Sequence, residues 1–266
     1  MNIIKKINTK HKITVVITAH NNSKFIKDCI LSVTQQTYLP NSIIVIDDFS
    51  ADIEIIKTII NSLNQTSQIN IQLIMNKKNI GPGLSRNKAW NLVKTEFVAF
   101  LDADDIFYKN KLESQIKLFK KFPKSSIIAG KKNLSSKNNS HKCDISIIKK
   151  LSFRKMLFFN TIATSSVMLK SNIKQRFDDS YYAEDYKLWL SILNKNKEII
   201  FIDSNITTQN FNYYNKEKLS DNFLKMEIGI QKTLCSFYSN NLKINVLIFL
   251  SQMFSFFKFL SRLIRR

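Results

Sequence analysis

The sequence predicts an α/β fold with a mainly parallel central sheet, helices on both faces and a helical C-terminal extension. Short continuous apolar runs alternate with longer segments of helical period, and such runs mark strands buried on both faces of a parallel sheet. Each run ends in a polar or acidic turn, at the strand ends where open parallel sheets collect ligands. With 266 residues, 44% of them apolar, the chain can bury a sizeable core as one large domain or two small ones.

The elements follow in order. ITVVIT at 13–18 is the first strand, and Ser23 is placed to cap a helix in which Phe25, Ile26, Cys29, Ile30 and Val33 recur at three and four residues. SIIVID at 42–47 is the second strand, and Ile55, Ile56, Ile59, Ile60 and Leu63 give the next helix its apolar face. INIQLIM at 69–75 and FVAFLD at 97–102 are the third and fourth strands. Beyond Asp105 come a helix at about 109–122, a short strand at 125–130, and KKNLSSKNNSHK, a polar stretch that reads as a mobile loop. TSSVMLK at 164–170 reads as a strand, AEDYKLWLSIL at 183–193 as a helix and IIFID at 199–203 as a strand. The organisation expected is a main α/β domain over 1–219 and a helical extension over 220–266.

Composition narrows the function. Lys+Arg number 41 against 20 Asp+Glu, a formal net charge of +21, and most of the bases are Lys, the weaker bidentate reader of bases and phosphates. Between residues 106 and 155, fourteen Lys/Arg face only Glu113 and Asp144. Four Gly and three Pro exclude collagen-like and linker-rich chains and the glycine-dependent phosphate loops. Cys29, Cys143 and Cys235 form no C-x-x-C pair and have no His at ligand spacing, so neither a zinc site nor a disulfide framework is indicated. A reducing compartment is expected, and the polar start MNIIKKINTKHK does not read as a secretory signal.

Four strand ends converge on one crevice: Thr18-Ala19-His20-Asn21, Asp47-Asp48-Phe49-Ser50, Asn79-Ile80-Gly81-Pro82-Gly83 and Asp102-Ala103-Asp104-Asp105. Like charges as close as those of the last group repel, and a divalent cation is their natural compensation. Alone, they would also suit a helix start, since Asp is a favoured cap. Asp47 and Asp48 fit a turn, but a strand-end carboxylate can also accept from the imide N–H of a uracil. The backbone turns sharply at Gly81, and Arg86 in the helix beyond suits a phosphate or carboxylate ligand, or pairs with a local Asp. Glu184-Asp185 opens an amphipathic helix and complements its dipole; beside a metal and nucleotide crevice, a carboxylate so held suits the role of general base for a hydroxyl.

Together VVITAHNN, VIDDFSAD, NIGPGLSRN, FLDADD and AEDYKLWLSI make the chain resemble a family 2 glycosyltransferase of the GT-A fold over roughly 13–203. Arg176-Phe177-Asp178 also fits the stretch before the E-D helix. The resemblance implies transfer of a sugar, with inversion, from a nucleotide-diphosphate donor to an acceptor hydroxyl. It implies a donor site lined by Thr18, His20, Asn21, Asp47, Asp48, Gly81, Arg86, Asp102, Ala103, Asp104 and Glu184. Asp47 or Asp48 would bind the base and Arg86 would support the ribose or diphosphate. Asp102 and Asp104 would form the D-x-D that holds Mn2+ or Mg2+, with Asp104 the closer contact, and Asp185 would take the acceptor proton. The chain departs from the family at Thr18 and His20, where Pro and Tyr are common, and at Phe49, where Gly is usual.

KINVLIFLSQMFSFFKFLSRLIRR at 243–266 has no acidic residue, and Ser251, Ser255, Lys258, Arg262 and Arg265 form a polar stripe along a helix otherwise apolar. Such a helix suits an in-plane position on an anionic membrane, or packing back on the domain. The function expected is synthesis of bacterial lipopolysaccharide, capsule or another surface glycan from a UDP-sugar and a glycan or glycolipid acceptor, at the cytoplasmic membrane face. The rivals are a sugar-phosphate nucleotidyltransferase, disfavoured without an N-terminal glycine-rich loop, and a nucleic-acid-binding module, disfavoured because few aromatics interleave with the Lys residues.

Overall fold

All seven residues of β1 (Ile13–Ala19) are apolar or small and buried, so this strand lies at the centre of the sheet with cover on both faces. A computed structural model describes residues 11–134, 142–210 and 222–264. After β1 come α1 (Ser23–Thr34), β2 (Ser42–Asp47), α2 (Ile53–Thr66), β3 (Asn70–Met75), α3 (Pro82–Trp90) and β4 (Phe97–Asp102). They are followed by β5 (Asp105–Phe107), α4 (Lys111–Lys121), β6 (Ser125–Asn133), β7 (Ile148–Lys150), α5 (Phe153–Phe158), β8 (Met168–Lys170), α6 (Glu184–Asn194) and β9 (Glu198–Gln209). Helices α7 (Phe223–Cys235) and α8 (Leu242–Ile264) complete the chain. The expected boundary at 219/220 falls outside the described residues.

The nine strands are ordered β3-β2-β1-β4-β8-β6-β9-β5, with β7 paired to β9. The first four are parallel, each joined through a helical crossover. The second half is mixed: β6 runs parallel to β9, but the three-residue strands β5, β7 and β8 pair antiparallel to their neighbours. Alternate residues of β1 supply the two core layers. Ile13, Val15 and Ile17 pack under α1, α2 and α4, whereas Val16 belongs to the layer of α3, α5 and α6. Leu234 of α7 and Ile248 of α8 are buried in that second layer, so the C-terminal helices share the core.

Three local expectations change. Ser23 is the first residue of α1 rather than its cap: Asn22 takes the cap position, and Asp52 from the next loop accepts the Ser23 N–H at 2.9 Å. Residues 164–166 form a 3-10 turn rather than the start of a strand, because the Ser166 N–H and hydroxyl both bond back to the Ala163 carbonyl. Strands β6 and β9 outrun their expected ends because they pair with each other through Lys131–Asn133. The polar stretch expected as a loop therefore begins inside the sheet, and its residues 135–141 lie outside the described residues.

Candidate active site

Strand register brings the polar turns to one edge. Thr18 is opposite Asp102 of β4, and Ala19 is opposite Asp47 of β2. Thr18 Oγ1 is buried without a hydrogen-bond partner among the described residues, the kind of orphan that a ligand or water satisfies.

The carboxylates of Asp47 and Asp48 are buried and used locally. Asp47 accepts the Ser50 N–H at 2.9 Å and the Ser50 hydroxyl. Asp48 accepts from Asn76 Nδ2 at 2.9 Å, from the Ile80 N–H at 2.9 Å and from the Gly81 N–H at 2.8 Å. These bonds hold the turn after β2 in shape, and Asp48 pins the Gly81 turn. Gly81 has φ 86, and the Tyr181 ring lies against it where a Cβ would stand. His20 Nδ1 lies 2.8 Å from the Asp48 carbonyl, an acceptor only, so this nitrogen carries the proton. Its Nε2 then accepts from the amides of Asn21 at 3.2 Å and Asn79 at 3.3 Å. Asn21 also joins the turns, accepting the Ala51 N–H at 2.9 Å. Phe49 adopts φ 65, the left-handed conformation a Gly would take freely, and its ring is 58% exposed.

Arg86 is buried and acts as a brace. Its Nη2 donates to Asp102 at 2.6 Å and its Nη1 to Glu184 at 2.9 Å, tying the end of β4 to the start of α6. Of the partners expected for this guanidinium, a phosphate or carboxylate ligand or a local Asp, the structure shows two carboxylates. Burial alone would pull it down, but Asp102 and Glu184 outweigh that and hold its pKa above the ordinary arginine value. Burial raises Asp102 less than Arg86 and Lys132 lower it, so it stays ionised below the usual carboxylate range. Gly83 is required beside this brace, since a Cβ there would stand 2.7 Å from Glu184 Cγ.

Asp104 follows Ala103, which is buried, and its carbonyl accepts the Asn210 N–H at 2.8 Å. Asp105 leaves the acidic cluster to start β5, fully buried and ion-paired to Lys132 at 2.6 Å. Burial pushes Asp105 up to about 7, with Lys132 opposing. Ser165 joins the two acids, donating to Asp105 Oδ2 and accepting the Asp102 N–H at 3.1 Å.

Glu184 and Asp185 open α6 after Ala183, which has φ 61. Burial, then the neighbouring Asp185, push Glu184 up to about 7 against the pull of Arg86. Asp185 accepts from Thr164 Oγ1 at 3.2 Å and from the Tyr186 N–H at 2.6 Å. Burial also raises it above the ordinary aspartate value, with Arg86 opposing. A carboxylate so raised is suited to take a proton near neutral pH.

Residues 14–170 match the model of Glycosyl transferase family 2. The chain belongs to this family. It is 32% identical over 185 residues to WfgD of Escherichia coli, a UDP-Glc:alpha-D-GlcNAc-diphosphoundecaprenol beta-1,3-glucosyltransferase, covering 69% of this chain and 70% of that one. It is 28% identical over 188 residues to AmsB of Erwinia amylovora, an amylovoran biosynthesis glycosyltransferase, covering 66% and 62%. Among solved structures, S. aureus TarS 1–349 with UDP-GlcNAc superposes with a TM-score of 0.68 at 18% identity, over 92% of this chain and 73% of that chain. The mannosyltransferase PcManGT from Pyrobaculum calidifontis, solved with GDP-Man and Mn2+, gives 0.68 at 12%, over 93% and 71%. The fold is therefore GT-A.

In this family 2 glycosyltransferase the metal donor set is small. Among the described residues no three His, Cys, Asp or Glu side chains cluster as a complete cation site. Asp102, partly exposed and with one oxygen on Arg86, and Asp104 offer the two-carboxylate chemistry that suits Mg2+ or Mn2+ shared with substrate phosphates. The pair fits a divalent cation that completes its coordination with ligands from outside the chain. Thr164, Ser165 and Lys132 are contacts that sequence reading missed. The T-S-S run was the one signal for Thr164 and Ser165, since hydroxyl residues close together favour local turns over strands.

Proposed function

We propose that the chain is an inverting, metal-dependent hexosyl- or N-acetylhexosaminyltransferase that moves a sugar from a UDP-sugar to a hydroxyl of a glycan or glycolipid acceptor. The product belongs to lipopolysaccharide, capsule or another bacterial surface polysaccharide. WfgD, with a UDP-Glc donor and a lipid-linked acceptor, and AmsB, in polysaccharide synthesis, support this reading. The observation that carries it is Asp185, raised by burial and held by Thr164 beside the Arg86 brace.

The acceptor oxygen forms its bond to the anomeric carbon as the bond from that carbon to the phosphate oxygen breaks on the opposite face. Asp185 takes the acceptor proton, and the bonding electron pair leaves with the nucleoside diphosphate. Arg86 fixes the spacing between Asp102 and Glu184 and so keeps the donor and base sides of the crevice in register. Asp102 and Asp104 would hold a divalent cation, which when bound supplies Lewis-acid stabilisation of the departing diphosphate. Such a cation would also favour donor binding, since Asp102 is ionised and the guanidinium beside it is shared with Glu184. The enzyme works as a peripheral protein on the inner face of the cell membrane, attached through 243–266.

A panel of UDP-, GDP- and dTDP-sugars with Mn2+ or Mg2+ tests the reading. Metal-dependent turnover of a UDP-sugar is expected; neither turnover nor binding of any donor would refute it.

A further inference from the structure

Helix α8 reverses the usual amphipathic arrangement. Two of its serines face the protein: Ser251, 1% exposed, donates to the Leu157 carbonyl, and Ser255 donates to Glu227 at 2.8 Å. Apart from Ile248 and its core-packed neighbours Ile244 and Leu247, many of its apolar residues face outward, with Phe249 at 55% and Phe257 at 60% exposure and Leu250 and Met253 exposed between them. Spacing by three and four residues makes these one continuous helix face. The serine part of the expected polar stripe thus turns inward, and Arg265 lies outside the described residues.

Neighbouring elements extend the surface. Ile228 of α7 is exposed, and an apolar groove of about 660 Å3 lies between α7 and α8, lined in part by Ile228, Cys235, Phe256 and Phe259. On the α5 side, exposed Phe159 packs against Phe254 with ring centroids 5.3 Å apart. A surface of this extent is an interaction site rather than scattered exposed residues.

Charge selects the occupant. Helix α8 has no acidic residue, and Lys243, Lys258 and Arg262 are exposed along it, with Arg154 and Lys155 exposed on α5. A second copy of this chain would bring the same positive charges against themselves, whereas an anionic bilayer offers hydrocarbon and negative headgroups together. The 23 residues of α8, about 34 Å at 1.5 Å per residue, are long enough to cross a bilayer. The inward bonds of Ser251, Gln252 and Ser255 tie α8 lengthwise to α5 and α7, which leaves one face for lipid.

We infer that α8 lies in the plane of an anionic membrane with its outward apolar face in the lipid, Phe159 and Ile228 at the margins and a lipid hydrocarbon chain in the α7–α8 groove. This rests on the membrane part of the proposed function and adds an orientation to it. Thr164, which holds Asp185, stands five residues beyond Phe159, so the base is joined to the lipid level by the short segment 159–163. The acceptor class that this orientation serves is an amphiphile seated in the same membrane, presenting its hydroxyl from the Phe159 side.

The test is flotation of the full chain with vesicles of phosphatidylcholine and phosphatidylglycerol, comparing the native protein with Phe249→Glu/Phe257→Glu. The bound fraction is expected to fall about tenfold while donor hydrolysis in solution is unchanged. As a conservative second variant, Phe257→Trp should be quenched by brominated lipid. Undiminished flotation, absent quenching, or equal binding to phosphatidylcholine alone would each overturn the inference. So would resistance to alkaline carbonate extraction, which marks a spanning helix, or a dimer dissolved by the same substitutions, which makes a second copy the occupant. Vesicle binding with neither turnover nor binding of any donor refutes the transferase reading alone; donor turnover without vesicle binding refutes this inference alone.

Discussion

The crevice at the end of β4 buries charge, and the outer face of α8 exposes hydrocarbon. Each inverts the ordinary distribution, in which charged groups stay wet and large apolar groups stay dry. The crevice satisfies its buried charges internally, through Arg86 between Asp102 and Glu184 and Lys132 on Asp105. The apolar face of α8 has no counterpart within the described chain, so its compensation comes from outside. The comparison teaches that one region pairs its charges within the folded protein, whereas the other turns its apolar residues outward.

The sharpest way to break that contrast is Asp185→Asn, expected to lower kcat by about a thousandfold with donor affinity nearly unchanged. Steady-state kinetics with parallel donor binding checks it, and lost binding would remove the base role. Next is Arg86→Met, which leaves Glu184 buried and Asp102 half-buried without their cation and should cost about 3 kcal/mol of stability by denaturant unfolding.

pH separates stability from activity in the same site. Folding raises Glu184 from 4.5 to about 7, so its contribution to stability is full in acid and is lost as pH rises through about 7. Glu184→Gln should flatten that decline in unfolding curves measured across the window. Activity runs oppositely, because Asp185 must be ionised: kcat/KM should climb with pH along a limb displaced above the ordinary aspartate range.

Smaller effects probe where the two regions meet. The Leu157 carbonyl accepts from Ser251 of α8 and from Tyr186 of α6 at 2.7 Å, next in the chain to Asp185. Tyr186→Phe or Ser251→Ala should each cost about 1 kcal/mol of stability. Only the former is expected to disturb kcat, as rate measurements on soluble donor and acceptor would reveal. Smallest is Phe49→Gly, which relieves a left-handed residue and should stabilise by about 1 kcal/mol in thermal or denaturant unfolding.

Much of this was legible because it is local. Strands 42–47 and 97–102 end where their apolar runs end, and GT-A follows from motif order along the chain. What escaped depends on partners distant in sequence. Nothing around Arg86 announces that Glu184, 98 residues on, will share its guanidinium with Asp102. Lys132 sits in a run that looks like loop and enters the sheet only because β9 pairs with it. The polar stripe of α8 was correctly periodic, but periodicity alone does not say which side of a helix meets the protein. Ser251 and Ser255 turn inward because Leu157 and Glu227 are there to receive them.

The distribution of thiols gives the molecule an optical handle. Cys29 lies beneath the crevice, raised well above the ordinary thiol range by burial and then by Asp105, and burial raises Cys143 as well. Cys235 is exposed, in the wall of the α7–α8 groove. A maleimide dye should therefore label the native protein at one position without mutagenesis, and the colour of its emission would follow the polarity of the groove as the surroundings change.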